Sequence, residues 1–256
     1  MQRAHTVILA LVVSMLAATD APADEAAGQA PPLTIDEIIA NNVEARGGLE
    51  AWRAVNTVRM KGTMELGNGA TAPLTLEFKR PSKVRVEFEV EGRKGSQAYD
   101  GETAWAVVSF AEQEPIRLSP EQSQDLVQQA DFEGPLIGYR EKGNAVRLAG
   151  TAEVDGRKVY EVEVERSGGE TTIHQIDAET FLEVGHAIQR SFQGQEIEIS
   201  VRLGDYRKVG KLLIPFRVEQ AVSIAPAPQV IQLESVELDA ELPDERFAFP
   251  EDGSGE

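Results

Sequence analysis

Hydrophobic and polar residues alternate along most of the chain between Val58 and Leu238. From Val84 to Val90, for example, valine or phenylalanine occupies every second position, and arginine or glutamate occupies the positions between. A period of two places the apolar side chains on one face of a β-strand and the charged side chains on the other. This pattern therefore predicts strands with one buried face and one solvent-facing face.

Roughly eleven or twelve such strands follow one another, separated by glycine-containing turns such as Asp100-Gly101 and Asp155-Gly156. The predicted strands are Val58–Leu66, Leu74–Lys79, Val84–Val90, Gly95–Tyr99, Thr103–Ser109, Ala145–Val154, Lys158–Arg166, Thr171–Asp177, Leu182–Phe192, Ile197–Tyr206, Leu212–Ala221 and Val230–Leu238. Tight turns between consecutive strands are typical of antiparallel pairing. The expected fold class is mainly β, a single antiparallel sheet with a few helices.

Two helices are predicted before the first strand. Thr34 and Glu37 have the spacing of a capping box, and isoleucines at intervals of three and four residues follow them. Gly47-Gly48 ends this helix, and Leu49–Val55 is predicted to form a second, shorter helix that carries Trp52.

A third helix is predicted to interrupt the strands between Pro120 and Ala130. Ser119 is a suitable N-cap, and Pro120 occupies the first helical position, which proline favours. Only Leu126, Val127 and Ala130 form an apolar stripe among glutamine and acidic residues. Such a thin stripe suits a lid over a cavity, and it equally suits an ordinary surface helix.

The N-terminal segment has the features of a secretory leader. Arg3 precedes the apolar run Val7–Ala18, which at about twelve residues is shorter than the roughly 20 needed to span a bilayer. The small residues around Ala23 predict cleavage after that position; an uncleaved membrane anchor is the alternative. Asp24–Pro32 is expected to be a flexible tether, and Glu251–Glu256 a disordered tail.

Composition excludes several classes of function. The chain has no cysteine, so it lacks the residue that carries the lipid of a bacterial lipoprotein, and disulfides cannot stabilise it. Its 25 lysines and arginines against 43 aspartates and glutamates give a formal charge of −18. That acidity argues against binding nucleic acid or anionic membranes.

Catalytic and metal-binding motifs are absent from the sequence. Past the leader, histidine occurs only at His174 and His186, in different predicted strands and without the spacing of a known metal motif. A G-x-G-x-x-A match at Gly67–Ala72 precedes a strand rather than the helix that dinucleotide binding requires. We therefore expect no enzyme activity, no catalytic residue, no metal and no cofactor. Pairs of acidic residues are attributed to the solvent-facing sides of strands; they are Glu87/Glu89, Glu161/Glu163 and Glu196/Glu198.

Large apolar side chains are more numerous than one-sided strands need. A sheet of this size must curl, and its concave face is then filled by helices or left as a cavity. Because a cavity wall and a packed core have the same composition, both interpretations stay open for each side chain. The candidate ligand-binding residues are Met60, Met64, Phe78, Phe88, Trp105, Phe110, Leu126, Tyr160, Phe192 and Phe216.

Several short segments, in this order from Leu33 to Pro250, resemble the LolA-like family of periplasmic outer-membrane lipoprotein-sorting proteins. They are Glu44–Trp52, Val58–Gly62, Lys79–Arg85, Ala98–Gly101, Gln129–Leu136, Ile176–Thr180, Gly204–Tyr206, Leu213–Phe216 and Arg246–Pro250. The resemblance is closer to the longer relatives than to the carrier that names the family. It implies an unclosed half β-barrel, with helices covering a hydrophobic cavity that binds acyl chains.

The same resemblance implies a monomeric periplasmic carrier for lipoproteins or another lipid, with membrane transfer proteins as partners. In the carrier that names the family, an arginine in the cavity holds the lid; Arg140, Arg190 and Arg217 are candidates for that role here. Two other interpretations stay open. One is an envelope module with a packed core that binds a protein, and the other is an enzyme that uses carboxylates at the rim of the sheet.

Overall fold

The structure, a computed structural model, describes residues 33–65, 69–108, 114–192, 195–225 and 227–250. The predicted leader, tether and tail lie outside the described residues, as do Phe110 and the side chain of Phe192.

The three predicted helices are present. Helix α1 (Ile35–Ala45) begins with the expected capping box, in which the Thr34 backbone N–H donates to Glu37 Oε2 at 2.8 Å and the Glu37 N–H donates to Thr34 Oγ1 at 3.3 Å. Helix α2 (Leu49–Ala54) buries Trp52, and helix α3 (Pro120–Gln129) begins at Ser119 with a second capping box. A short 3₁₀ turn spans Asp244–Arg246. No helix in the described ranges is long and apolar enough to cross a membrane.

Thirteen strands in the described residues form one antiparallel sheet. They are β1 (Thr57–Glu65), β2 (Thr71–Lys79), β3 (Lys83–Val90), β4 (Arg93–Tyr99), β5 (Ala104–Val108), β6 (Ile116–Arg117), β7 (Ala145–Val154), β8 (Arg157–Glu165), β9 (Thr171–Asp177), β10 (Glu183–Phe192), β11 (Gln195–Val209), β12 (Leu212–Val222) and β13 (Gln229–Leu238). The predicted number of eleven or twelve was too low, because β6 has only two residues and shows no alternation.

The strand order is β6-β5-β4-β3-β2-β1-β13-β12-β11-β10-β9-β8-β7. Strands β1 to β6 form one meander and β7 to β13 form another, and the pairing of β1 with β13 joins the two. Strands β6 and β7 are the edges, so within the described residues the sheet is not closed into a barrel. The predicted unclosed antiparallel fold is therefore confirmed.

All three helices lie on one face of the sheet, which we name the inner face. The largest apolar cluster packs Trp52 of α2 and Leu126 of α3 against Val58, Phe78 and Phe216 of the sheet. A second cluster packs α1 against β8 and β9, through contacts between Ile38, Ile39, Val162, Val164 and Ile176. Burial of these side chains is the main force that holds the helices on the sheet.

The opposite, outer face is covered over β1 to β5 by the C-terminal segment 239–250, which we name the strap. Trp105 Nε1 donates to the carbonyl oxygen of Phe247 at 2.9 Å, and the Arg85 guanidinium donates to that of Arg246 at 2.8 Å. Glu77, which is 2% exposed, accepts from Arg59 at 2.9 Å and from Arg246 at 2.7 Å. The strap thus satisfies polar groups that it removes from water.

This arrangement corrects two sequence-based expectations. Glu77 and Arg85 were expected on a solvent-facing side of the strands, but they are buried beneath the strap. Trp105 was expected on the concave side, in a cavity wall or in a packed core, but it lies on the outer face, where it packs with Phe249 at a centroid distance of 6.5 Å. Alternation shows which residues share a face, and it does not show what covers that face.

Phe247 should be the anchor of the strap, because its side chain has no exposed surface. Phe247→Ala is expected to lower the free energy of unfolding by about 3–5 kcal/mol, since it removes a buried aromatic ring and leaves a cavity. The matched control is Phe249→Ala, the same truncation at a partly exposed position of the strap. Denaturant unfolding followed by circular dichroism measures both losses; an equal or smaller loss at Phe247 would show that the strap is not anchored there.

Candidate functional site

A cavity of about 370 Å³ lies on the inner face, between α3, the segment that follows it, and strands β9 to β12. Ile188, Ile199, Val201 and Leu203 form an apolar wall on the strands, and Phe132 faces the same space from the segment after α3. Charged and polar side chains form the remainder of the lining; they include Arg46, Asp125, Asp131, Arg166, Glu170, Thr172, His174, Glu183, His186 and Arg190. The cavity therefore combines an apolar wall with a strongly polar rim.

A second cavity, of about 730 Å³, borders another side of α3. Gln128, Asp131, Glu133, Arg166 and Glu170 line both cavities. The C-terminal end of α3 and the residues after it thus separate two spaces.

Arg190 links α3 to the sheet. One guanidinium nitrogen donates to Asp125 of α3 at 2.6 Å, and another donates to Glu170, just before β9, at 2.8 Å. The two other arginines considered as lid holders do not pair with α3: Arg140 pairs with Asp36 of α1 at 2.8 Å, and Arg217 pairs with its strand neighbour Glu219 at 3.1 Å. Of the three candidates, Arg190 has the position that a lid holder needs.

The segment after α3 is attached more firmly than the helix itself. Glu133 accepts from Arg80 at 2.6 Å, and Lys142 lies 3.1 Å from Glu133 and 2.6 Å from Asp131. Burial alone would raise the pKa of Glu133, but the hydrogen bonds from Arg80 and Lys142 outweigh it and lower that pKa. Phe132 packs against Phe78 at a centroid distance of 6.1 Å. Within this region α3 is the less constrained element, because Leu126 and Ala130 are its main buried apolar contacts.

Two histidines and one glutamate, of which His174 and Glu183 are buried, form a cluster in the 370 Å³ cavity. Nδ1 of His174 and Nδ1 of His186 lie 2.8 and 2.9 Å from the same oxygen of Glu183, and the two rings are 5.2 Å apart. Burial lowers the pKa of His174. Burial alone would raise the pKa of Glu183, but the charges and hydrogen bonds of the two histidines lower it. The Tyr206 hydroxyl donates to the backbone carbonyl of Glu183 at 2.7 Å.

The two histidines lie in different strands, as expected from the sequence, but the sequence did not indicate that they are neighbours. His174 and His186 are direct cross-strand partners in the β9–β10 pair, so their side chains leave the sheet side by side. A register irregularity between Glu183 and Gly185 lies next to the carboxylate. Pairing the two predicted strands as a hairpin would have brought the histidines together, but the contribution of Glu183 depends on the irregularity.

Most of the predicted ligand-binding residues lie in packed clusters. Phe78, Leu126 and Phe216 belong to the largest inner cluster, Met60 and Phe88 pack against it, and Tyr160 packs against the second cluster, where it stacks on Phe181 at 6.3 Å. Met64 is half-buried. Among the predicted residues whose side chains the structure describes, none lines the 370 Å³ cavity. The four apolar strand residues that do line it were not singled out from the sequence, because they look like any other alternating positions.

No protein-family model matches the sequence, and no curated protein matches it. Solved structures do match: a LolA superfamily protein from Nitrosomonas europaea superposes with a TM-score of 0.57, over 85% of this chain and 98% of its own, at 16% identity. The fold is LolA-like. Two further structures agree with it. A DUF1329 family protein from Desulfovibrio piger gives a TM-score of 0.60 over 84% of this chain and 97% of its own, at 14% identity. An outer membrane lipoprotein-sorting protein domain from Vibrio parahaemolyticus gives 0.55 over 82% and 94%, at 10% identity.

Glu133 should stabilise this LolA-like fold through its two cationic partners. Glu133→Gln is expected to lower the free energy of unfolding by about 1–3 kcal/mol at neutral pH, because Arg80 and Lys142 lose a charged acceptor. Since folding lowers the pKa of Glu133, the difference from the parent should keep its full size above pH ~4.3 and shrink below it. Denaturant unfolding between pH 3 and pH 7 measures this difference.

The control for this experiment is Glu141→Gln, because Glu141 is well exposed and its ion pair within the described part of the chain is with the half-exposed Arg53. The control should change the free energy of unfolding by less than about 1 kcal/mol at every pH. A Glu133 effect that does not depend on pH, or that matches the control, would contradict the assignment.

Proposed function

We propose that this chain is a periplasmic carrier that binds the acyl chains of lipoproteins or of another lipid on the inner face of its sheet. The observation that carries the proposal is the position of α3. This helix borders two cavities, contacts the core through few apolar side chains, and is linked to the sheet by the Arg190–Asp125 ion pair. A helix in that position can act as a lid.

Affinity for an acyl chain needs little besides apolar surface. Burial of a methylene group contributes about 0.8 kcal/mol. The wall formed by Ile188, Ile199, Val201 and Leu203 offers a first contact for the chain. Displacement of Leu126 would then open the large inner cluster, so that Phe78 and Phe216 become available as further ligand contacts.

The charged groups at the rim suit the polar end of such a ligand. Arg166 and Arg190 line the 370 Å³ cavity together with acidic partners, so a polar headgroup can exchange with these ion pairs instead of being buried unpaired. Breaking the Arg190–Asp125 pair would release α3 at the same time. Loading and lid opening are thereby coupled in the proposed mechanism.

The proposed location is supported by one prediction from the sequence and one structural comparison. The predicted leader would direct export, and one structure with the same fold is described as an outer membrane lipoprotein-sorting domain. We infer that this chain works in the periplasm and exchanges its cargo with membrane transfer proteins.

A second candidate function is a non-enzymatic envelope module that binds a protein. The packing of Phe78, Leu126 and Phe216 in one buried cluster favours it, because a filled inner face leaves less room for lipid. The two candidates differ in what α3 does when a fatty acid is added.

The lid can be tested with Leu126→Asp, which replaces a side chain that is 3% exposed and contacts the inner cluster. We expect the Kd of the variant for a fluorescent fatty acid to rise at least about tenfold, which corresponds to a loss of about 1.4 kcal/mol in binding free energy. The matched control is Val127→Asp, the same change at the next residue, whose side chain is 40% exposed. The control should bind like the parent.

Hydrogen exchange gives a second measurement of the same proposal. Exchange in residues 120–130 should slow when the fatty acid is added to the parent, because ligand contacts hold the lid closed. If the parent does not bind the fatty acid, the lid proposal is wrong. It is also wrong if the fatty acid does not change the exchange rate in α3 and Leu126→Asp binds the fatty acid as well as Val127→Asp does. The packed-module function then becomes the better one.

A further inference from the structure

The His174–Glu183–His186 cluster has the composition of a metal site. We infer that it binds one divalent transition-metal ion, with Zn²⁺ as the best match. Two imidazole nitrogens and one carboxylate oxygen form the three-ligand set found in zinc sites that keep a fourth position open. The inference goes beyond the proposed lipid binding and does not depend on it.

The spacing of the ligand atoms fits such an ion. One ligand atom from each residue lies within 4.8 Å of the other two. Tetrahedral Zn²⁺ with bonds of 2.0–2.1 Å separates its ligand atoms by about 3.3 Å. Both Nδ1 atoms now lie 2.8–2.9 Å from Glu183 Oε1 as hydrogen-bond partners. Insertion of the ion therefore requires each nitrogen–oxygen pair to separate by about half an ångström, and it requires the two nitrogens, now within 4.8 Å of each other, to lie about 3.3 Å apart.

The backbone positions hold the ligands in place. His174 and His186 project from directly paired positions of β9 and β10, and Glu183 begins β10. Ligands carried on paired strands keep their mutual distances better than ligands carried on loops. Tyr206 further holds the backbone of Glu183 through its hydrogen bond to the carbonyl oxygen.

A metal-binding histidine usually makes a hydrogen bond with the ring nitrogen that does not bind the metal, and Thr172 provides the partner for that bond. Its Oγ1 lies 2.8 Å from Nε2 of His174. When Nδ1 binds a metal, Nε2 carries the proton and donates it in a hydrogen bond to the threonine hydroxyl. Thr172 is thus a positioning residue for His174.

The fourth ligand position faces the 370 Å³ cavity, whose lining includes all three residues of the cluster. His186 is the most accessible of them, with 31% of its side chain exposed. Water or an anionic group of a bound molecule can complete the coordination from the cavity side. Arg166 lines the same cavity, where its guanidinium pairs with Asp131 and adds positive charge near the open position.

The test uses the full chain without a histidine tag. Bound metal is first removed with a chelator, and the chelator is then removed from the protein. Calorimetric titration with Zn²⁺ should give one ion per chain, and Co²⁺ should produce the visible absorption bands of a tetrahedral site. His186→Gln and Glu183→Gln should weaken Zn²⁺ binding by more than about 100-fold, and Thr172→Val by about 10- to 100-fold. Glu141→Gln is the matched control, the same change at a well-exposed residue that lines neither the cavity nor the cluster.

NMR of the imidazole nitrogens adds a readout that does not depend on affinity. Added Zn²⁺ should move the proton of His174 from Nδ1 to Nε2, next to Thr172. If the parent binds no ion in a one-to-one ratio, the cluster is a hydrogen-bonded trio only and the inference is wrong. It is equally wrong if His186→Gln, which changes the most accessible ligand and is the variant most able to fold, binds Zn²⁺ like Glu141→Gln.

Discussion

The pairing of β1 with β13 is the interaction on which the rest of the fold depends. It joins the two meanders into one sheet and places the first strand of the described chain beside the last. The register of this pair shifts between Lys61 and Gly62, where the two backbones approach so closely that a Cβ atom on Gly62 would collide with the carbonyl oxygen of Gln232. Because β13 leads directly into the strap and β1 follows α2, this one pairing also positions the covers of both faces.

The two faces of the sheet are covered in different ways, and this difference assigns their roles. On the outer face the strap buries Trp105 and Phe247 and pairs with Glu77, and a cavity of about 330 Å³ lies beside it, next to Arg85 and Arg246. On the inner face the helices leave cavities beside α3. A carrier needs a cover that can move, and α3 has far fewer fixed contacts than the strap. We therefore propose the inner face as the side on which cargo binds.

The sequence predicted the architecture well because the architecture follows from local patterns. Alternation identified every strand except β6, and capping residues such as Thr34 and Ser119 located the helix starts. The buried state of Glu77 could not be predicted, since it depends on a segment 160 residues or more away along the chain that folds back over the sheet. The histidine cluster was missed for a related reason. It depends on the register between β9 and β10 and on a local irregularity at Glu183. The alternation pattern within one strand predicts neither of these.

The most direct test of the carrier account is mass spectrometry of the molecules that the protein holds when it is purified, without detergent, from the cells that naturally make it. The account predicts an acyl-bearing lipid or lipoprotein in a defined ratio to the protein, and its loss after Leu126→Asp. Protein that emerges free of any acyl-bearing molecule while its envelope partner proteins remain attached would contradict the account.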